Sequence, residues 1–222
     1  MTATVSVHHL GREREPVAVI DDFAPDPMAL RMAAAATPFE PAGQHYPGVR
    51  APLPSSYLTS IRPLLSELFR DLFGVRERVS VIDMGFAIVT AAPHALTVEQ
   101  RLPHVDAIDE GRLALVHYLG EGADALDRDG AGTGFETIDA VRSAAYFAAL
   151  NADLAREGPP PAAYLNDGNA MFDRIGGFAG RFNRALIYRG RLLHSGDIDA
   201  QTPLSSDPAR GRLTITGFFA TA

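Results

Sequence analysis

The residues of this chain best placed to do chemistry together are two histidines and an aspartate. His104 and Asp106 stand two apart in Arg101-Leu-Pro-His-Val-Asp-Ala107, and His194 follows far downstream in Leu192-Leu-His-Ser-Gly196. Two neutral imidazoles and one carboxylate can occupy one face of a six-coordinate ferrous ion and leave three positions open. Side chains i and i+2 of an extended strand point the same way, so His104 and Asp106 can converge on one ion. With seven histidines in 222 residues, a His-x-Asp triplet also arises by chance, and the surrounding sequence has to decide.

The elements that must position these groups are legible nearby. Arg184 to His194 reads as two short strands broken at Arg189-Gly190, with His194 at the mouth of a sheet. Gly211 to Phe219 alternates, which puts Arg212, Thr214 and Thr216 on one face of a strand. A guanidinium beside a hydroxyl suits a carboxylate: the planar fork binds both oxygens and the hydroxyl adds a donor.

Taken in order, Pro103-His-x-Asp106, the strand ending His117-Tyr-Leu-Gly120, Gly132-Thr-Gly-Phe135, Leu-His-Ser-Gly and Arg212-x-Thr214 resemble the iron(II)/2-oxoglutarate-dependent oxygenases, within them the prolyl-hydroxylase-like branch. The resemblance spans roughly residues 80 to 220. It implies a double-stranded β-helix, or jelly roll, with metal ligands His104, Asp106 and His194. It implies that Arg212 and Thr214 grip the far carboxylate of 2-oxoglutarate, and that Fe(II), 2-oxoglutarate and dioxygen are the cofactors. The implied reaction is oxidative decarboxylation of 2-oxoglutarate coupled to attack on an unactivated C–H bond. Asp106 stands where a small residue would vacate a ligand position for chloride, so hydroxylation is expected over halogenation. Two departures are visible: Ile82 to Thr90 lacks the tyrosine many relatives carry before His-x-Asp, and Arg212 comes eighteen positions after His194. A turn-rich loop from Asp197 to Ala209 accounts for the second.

Around this core the expectation is one domain over 1–222, mainly β with flanking helices (α+β). Helical support fills about 16–75 and the jelly-roll core about 78–222. Pro16 to Asp21 reads as an opening strand. Asp26 suits a helix N-cap and Pro27 the first helical position of a helix to about Ala36. Phe39 to Pro54 reads as loop and carries His45-Tyr-Pro-Gly-Val-Arg50, a segment suited to a substrate lid. Ser60 reads as the cap of a helix through Phe73, with Pro63 in its first turn. Strands are expected over Val79–Ala91, Leu113–Leu119 and Gly134–Thr137, a turn at Gly130-Ala-Gly132, a helix over Ile138–Arg156, and a strand near Tyr164.

Composition narrows the function classes. At 46% apolar and 21% charged residues the chain can bury a sizeable core. The absence of cysteine removes disulfides, thiolate catalysis and Cys-ligated metals. All twenty basic residues are arginine, so a phosphate loop needing lysine and Schiff-base chemistry are excluded. A net charge of −7, with no basic block, argues against nucleic acid as a partner. No apolar run spans a bilayer, which makes the cytoplasm the expected location. A small-molecule or peptide substrate and a homodimer are compatible with all of this. The competing readings are a cupin-like metal-binding jelly roll that does not use 2-oxoglutarate and an inactive binding protein on the same scaffold.

Overall fold

The computed structural model describes residues 2–43, 45–120, 130–137, 144–165 and 172–221. Among them the strands are β1 (Thr4–Leu10), β2 (Glu15–Asp21), β3 (Glu40–Pro41), β4 (Gly48–Ala51), β5 (Val79–Val89), β6 (Arg112–Tyr118), β7 (Gly130–Thr137), β8 (Asp173–Gly180), β9 (Ala185–Arg189), β10 (His194–Gly196) and β11 (Leu213–Thr221). The helices are α1 (Pro27–Ala36), α2 (Ser56–Asp71) and α3 (Ala144–Glu157). One eight-stranded sheet runs β1-β2-β9-β6-β11-β5-β4-β3, and a three-stranded sheet runs β10-β7-β8. All pairings are antiparallel. The chain is thus mainly β with helices, as its sequence suggests.

The central strands are apolar on both sides, and alternation sorts their side chains between two cores. Ala18, Ile20, Leu113, Leu115, Ile187, Leu213, Ile215, Phe86 and Ile88 form one core with Leu30 and Ala34 of α1 and Tyr57, Ile61, Leu65 and Phe69 of α2. Their sequence neighbours Val17, Val19, Ala114, Tyr118, Leu186 and Tyr188 form the other, with Ile175 and Phe178 of β8 packed against it. Helices therefore cover one face of the large sheet and the small sheet covers the opposite face. Fully buried side chains such as Phe86 and Leu113 each contribute about 1.5–3 kcal/mol of transfer free energy. α3 lies elsewhere: Leu150 and Leu154 pack on Leu102, Phe172 and Leu193, beside the histidines singled out above.

Several element boundaries differ from the sequence reading. α1 starts as expected, with Asp26 Oδ1 accepting from the Ala29 amide at 2.9 Å. α2 begins a turn earlier than Ser60, whose hydroxyl donates to the Tyr57 carbonyl, so Pro63 lies inside the helix. β1 was not anticipated, because it is exposed along almost its whole length and has no buried face to generate a period. Its register with β2 holds it. Phe39 to Pro54 contains β3 and β4, Gly130-Ala-Gly132 belongs to β7, and Tyr164 sits in irregular chain with the strand placed later, in β8. Residues 138–143 of the expected helix lie outside the described residues. Among those described, no helix is long and apolar enough to cross a membrane.

Candidate metal centre between the sheets

His104 and Asp106 do not lie in a regular strand. The extended segment that carries them is pinned at two points by backbone bonds. The amide of His104 donates to the His194 carbonyl and the amide of His194 to the His104 carbonyl, each at 2.9 Å, forming an isolated antiparallel bridge. Two residues on, the Asp106 amide donates to the Gly190 carbonyl at 2.7 Å. Gly190 sits so close that a Cβ there would meet Arg112 Cγ at 2.8 Å and Asp106 Cβ at 3.2 Å. Backbone pairing, and not a shared strand, brings the downstream histidine to the upstream pair.

The three side chains meet. One potential ligand atom from each of His104, Asp106 and His194 lies within 4.8 Å of the others. His104 Nε2 is 3.8 Å from Asp106 Oδ1 and His194 Nε2 is 3.7 Å from Asp106 Oδ2, within about an ångström of the spacing that right-angled bonds of ~2.1 Å would set. His194 Nδ1 donates to the Leu192 carbonyl at 2.9 Å, which fixes the tautomer and leaves the lone pair on Nε2, the nitrogen that faces Asp106. Tyr188 packs edge-on against the His194 ring at 4.8 Å.

The electrostatics favour a cation here. Burial pushes the Asp106 carboxyl up to about 6, against the pull of His104 and Arg112, and its Oδ2 is sealed from solvent with no hydrogen-bond partner. Burial likewise pushes His194 down to about 4, with the bond to Leu192 opposing. His104 also falls to about 4 through burial, with His194 and His45 acting in the same direction. Its side chain retains 59% exposure, so water screens part of that effect, and His194, at 7%, is held neutral more firmly. Two neutral imidazoles and an unpartnered buried carboxylate are a donor set that a divalent metal completes.

The remaining residues singled out from sequence divide between this space and elsewhere. Arg212 lies just before β11 with its guanidinium 5.4 Å from the Tyr118 ring centroid. Thr214 is 1% exposed and its hydroxyl donates to the Ala87 carbonyl of β5 at 3.1 Å. Both Asp106 and Arg212 act electrostatically on the buried Tyr188 hydroxyl, which burial holds well above its usual range. Residues 197–212 form the loop between β10 and β11. Arg50 donates to Asp83 and to Thr216 Oγ1. Two polar residues just before β9 serve the scaffold instead: Asn183 is on the helix side of the sheet, bonded to Ala24 and His117, and Arg184 pairs with Asp21. Tyr188, edge-on to His194, borders the site without being assigned there from sequence; a tyrosine on an apolar run carries no signal that separates a site wall from a core.

A family model matches residues 1–219, described as a family of unknown function (DUF6445). No curated protein matches the chain. Among solved structures, HygX from Streptomyces hygroscopicus with nickel and 2-oxoglutarate bound is similar over 96% of this chain and 88% of its own, at 14% identity and a TM-score of 0.53. SnoN, a non-haem α-ketoglutarate-dependent epimerase from nogalamycin biosynthesis, is similar over 95% of this chain and 80% of its own, at 14% identity and a TM-score of 0.50. At such identities the likeness is one of fold.

Proposed function

We propose that this chain, which belongs to the family of unknown function DUF6445, is an iron(II)- and 2-oxoglutarate-dependent oxygenase built on a double-stranded β-helix, hydroxylating an unactivated C–H bond of a small-molecule or peptide substrate. The observation that carries the reading is the convergence of His104, Asp106 and His194 around one point, with an orphaned carboxylate oxygen among them. The fold shared with HygX, crystallised with nickel and 2-oxoglutarate, supports it.

Bound iron(II) would supply the redox centre at which dioxygen is reduced as 2-oxoglutarate is oxidatively decarboxylated to succinate and carbon dioxide. His104 and His194 act as neutral nitrogen donors, and the bond from His194 Nδ1 to Leu192 keeps that ring oriented. Asp106 offers two oxygens of which one already lacks a partner. Arg212 grips the distal carboxylate with its fork and so orients the keto acid toward the ligands, whereas the Thr214 hydroxyl, expected from sequence as a second donor, is spent on the Ala87 carbonyl. The small sheet and α3 pack beside His194, whose side chain is only 7% exposed.

With iron, ascorbate and 2-oxoglutarate the protein is expected to form succinate, slowly even without substrate, and His104→Ala to form none. Arg212→Ala is expected to weaken 2-oxoglutarate binding by roughly 10–100-fold, the range for a hydrogen-bonded charge, with metal binding retained. Metal binding without any 2-oxoglutarate affinity in the unaltered protein would place it with cupin-like metal proteins instead.

A further inference from the structure

We propose that β1 is the docking edge for a second copy of this chain. The outer edges of two β1 strands pair antiparallel about a two-fold axis at Ser6 and join the two large sheets into one.

β1 is an end strand of the eight-stranded sheet, and among the described residues only β2 pairs with it. Alternate residues of its backbone therefore turn their N–H and C=O groups outward, which is a template for another strand. Folded proteins blunt such edges with charge, proline, shortness or a cover, and the other sheet ends of this molecule are treated that way. β3, at the far end of the large sheet, is only Glu40 and Pro41. β10 is bridged to the segment of His104, and β8 carries Asp173 and Arg174. β1, with the sequence Thr4-Val-Ser-Val-His-His-Leu10, has seven residues and no acid, arginine or proline. Its register with β2 is unbroken by a bulge.

The strand is also held in place for pairing. His8 packs edge-on against Phe178 of β8, with ring centroids 4.9 Å apart, and Leu10 lies so near β8 that a Cβ on Gly176 would meet its Cδ2 at 3.0 Å. Thr4, Ser6, His8 and Leu10 thus share the small-sheet face, and alternation puts Val5, Val7 and His9 on the opposite one. There Val5 and Val7 remain 40% and 42% exposed, although their β2 partners Ile20 and Ala18 are fully buried.

The occupant follows from the order of residues in β1, which is matched about Ser6. With the two Ser6 residues opposite each other, Val5 faces the partner's Val7, Thr4 faces the partner's His8, and Ala3 faces the partner's His9. Apolar β-branched side chains then meet across the seam twice, polar ones meet polar ones on the other face, and no charge is opposed. Arg12, Glu13 and Arg14 follow β1 and in this register lie beyond the end of the opposing strand. Such a contact is smaller than a standard interface of about 1,600 Å², so the dimer is weak, with a Kd of roughly 10–100 µM.

Sedimentation of the full chain over a concentration series that brackets this value is expected to show a monomer–dimer equilibrium, with the β1 amides exchanging hydrogen more slowly at the dimeric end. The double variant Val5→Lys, Val7→Lys sets like charges opposite each other and is expected to weaken dimerisation roughly tenfold or more. Val5→Lys with Val7→Glu sets opposite charges against each other in the same register and is expected to stay within about threefold of the unaltered protein. A monomer at every concentration, which leaves the edge to a foreign strand or to none, overturns the proposal. So does a dimer whose β1 amides exchange as fast as those of the monomer, or equal affinity in the two folded double variants. The exchange measurement needs no substitution and decides the matter even where a variant fails to fold.

Discussion

His117 shows at the scale of one residue why a histidine's type says little until its partners are known. It is fully buried on the helix side of the sheet. Asn183 takes the Ala24 amide on its Oδ1 and donates its amide to the Ala24 carbonyl, so that same oxygen must accept from His117 Nε2, 3.0 Å away. Nδ1 then accepts from the Tyr57 hydroxyl at 3.0 Å. This neutral ring is satisfied at both nitrogens and serves the fold, whereas His104 and His194 face a carboxylate. Burial pushes His117 down to about 4, with the Asn183 bond opposing; in the unfolded chain it titrates near ~6.5. Between those values the unfolded state binds a proton that the folded state refuses. Its contribution to stability is therefore complete above pH ~6.5 and declines as pH falls toward 4, by up to about 3 kcal/mol. Urea unfolding at pH 7.5 and pH 5 should show a smaller acid loss in His117→Gln than in the unaltered protein; identical losses would remove His117 from the account. Sequence alone singled out His104, Asp106, His194 and Arg212 through their order and short-range spacing. It gave Thr214 a donor's role, because the pairing that turns that hydroxyl to the Ala87 carbonyl joins positions 127 residues apart, and nothing local encodes that.

At the scale of elements, two glycines set where the site's parts can sit. The Gly190 carbonyl receives the Asp106 amide, and the crowding at its Cα means that Gly190→Ala must displace either the Arg112 stem or Asp106. We expect a weakened divalent-metal affinity, by roughly tenfold, with modest loss of stability, readable as a metal titration beside a thermal melt; an unchanged affinity would show that Arg112 alone yields. Gly48→Ala is more severe, since the obstacle is backbone of β5 at 1.9 Å. β4 would have to separate from β5, and overpacking of this kind costs typically about 1–3 kcal/mol, visible as a lower denaturation midpoint. The strands that alternate or are buried on both faces, β2, β5, β6, β9 and β11, were legible because side-chain period and burial agree. β1 and the short β3 and β4 were not: an exposed or two-residue strand is stabilised by its neighbour's backbone, and its own residues carry no pattern. The start of α2 was misplaced for a related reason, as Pro63 is tolerated inside a helix whose Tyr57, Ile61, Leu65 and Phe69 are buried in the core.

At the scale of the whole molecule, the candidate ligands link the small sheet to the segment before β6, so a metal there should stabilise the fold and not only the site. A ligand that binds only the folded state at a hundred times its dissociation constant adds about 2.7 kcal/mol. For a chain of this length that corresponds to a rise of roughly 5–11 °C in melting temperature. Manganese should produce this rise in the unaltered protein and not in His194→Ala; equal rises would place the metal elsewhere. The sequence by itself determined the residue types, the mainly β character and the chemistry open to two imidazoles and a carboxylate, since composition, alternation and spacing are local properties. Only the tertiary structure decided that these groups meet and that His117 belongs to the scaffold. Those outcomes depend on which strands pair and in what register, and pairing across more than a hundred residues is set by the cooperative burial of two cores rather than by any short stretch of chain.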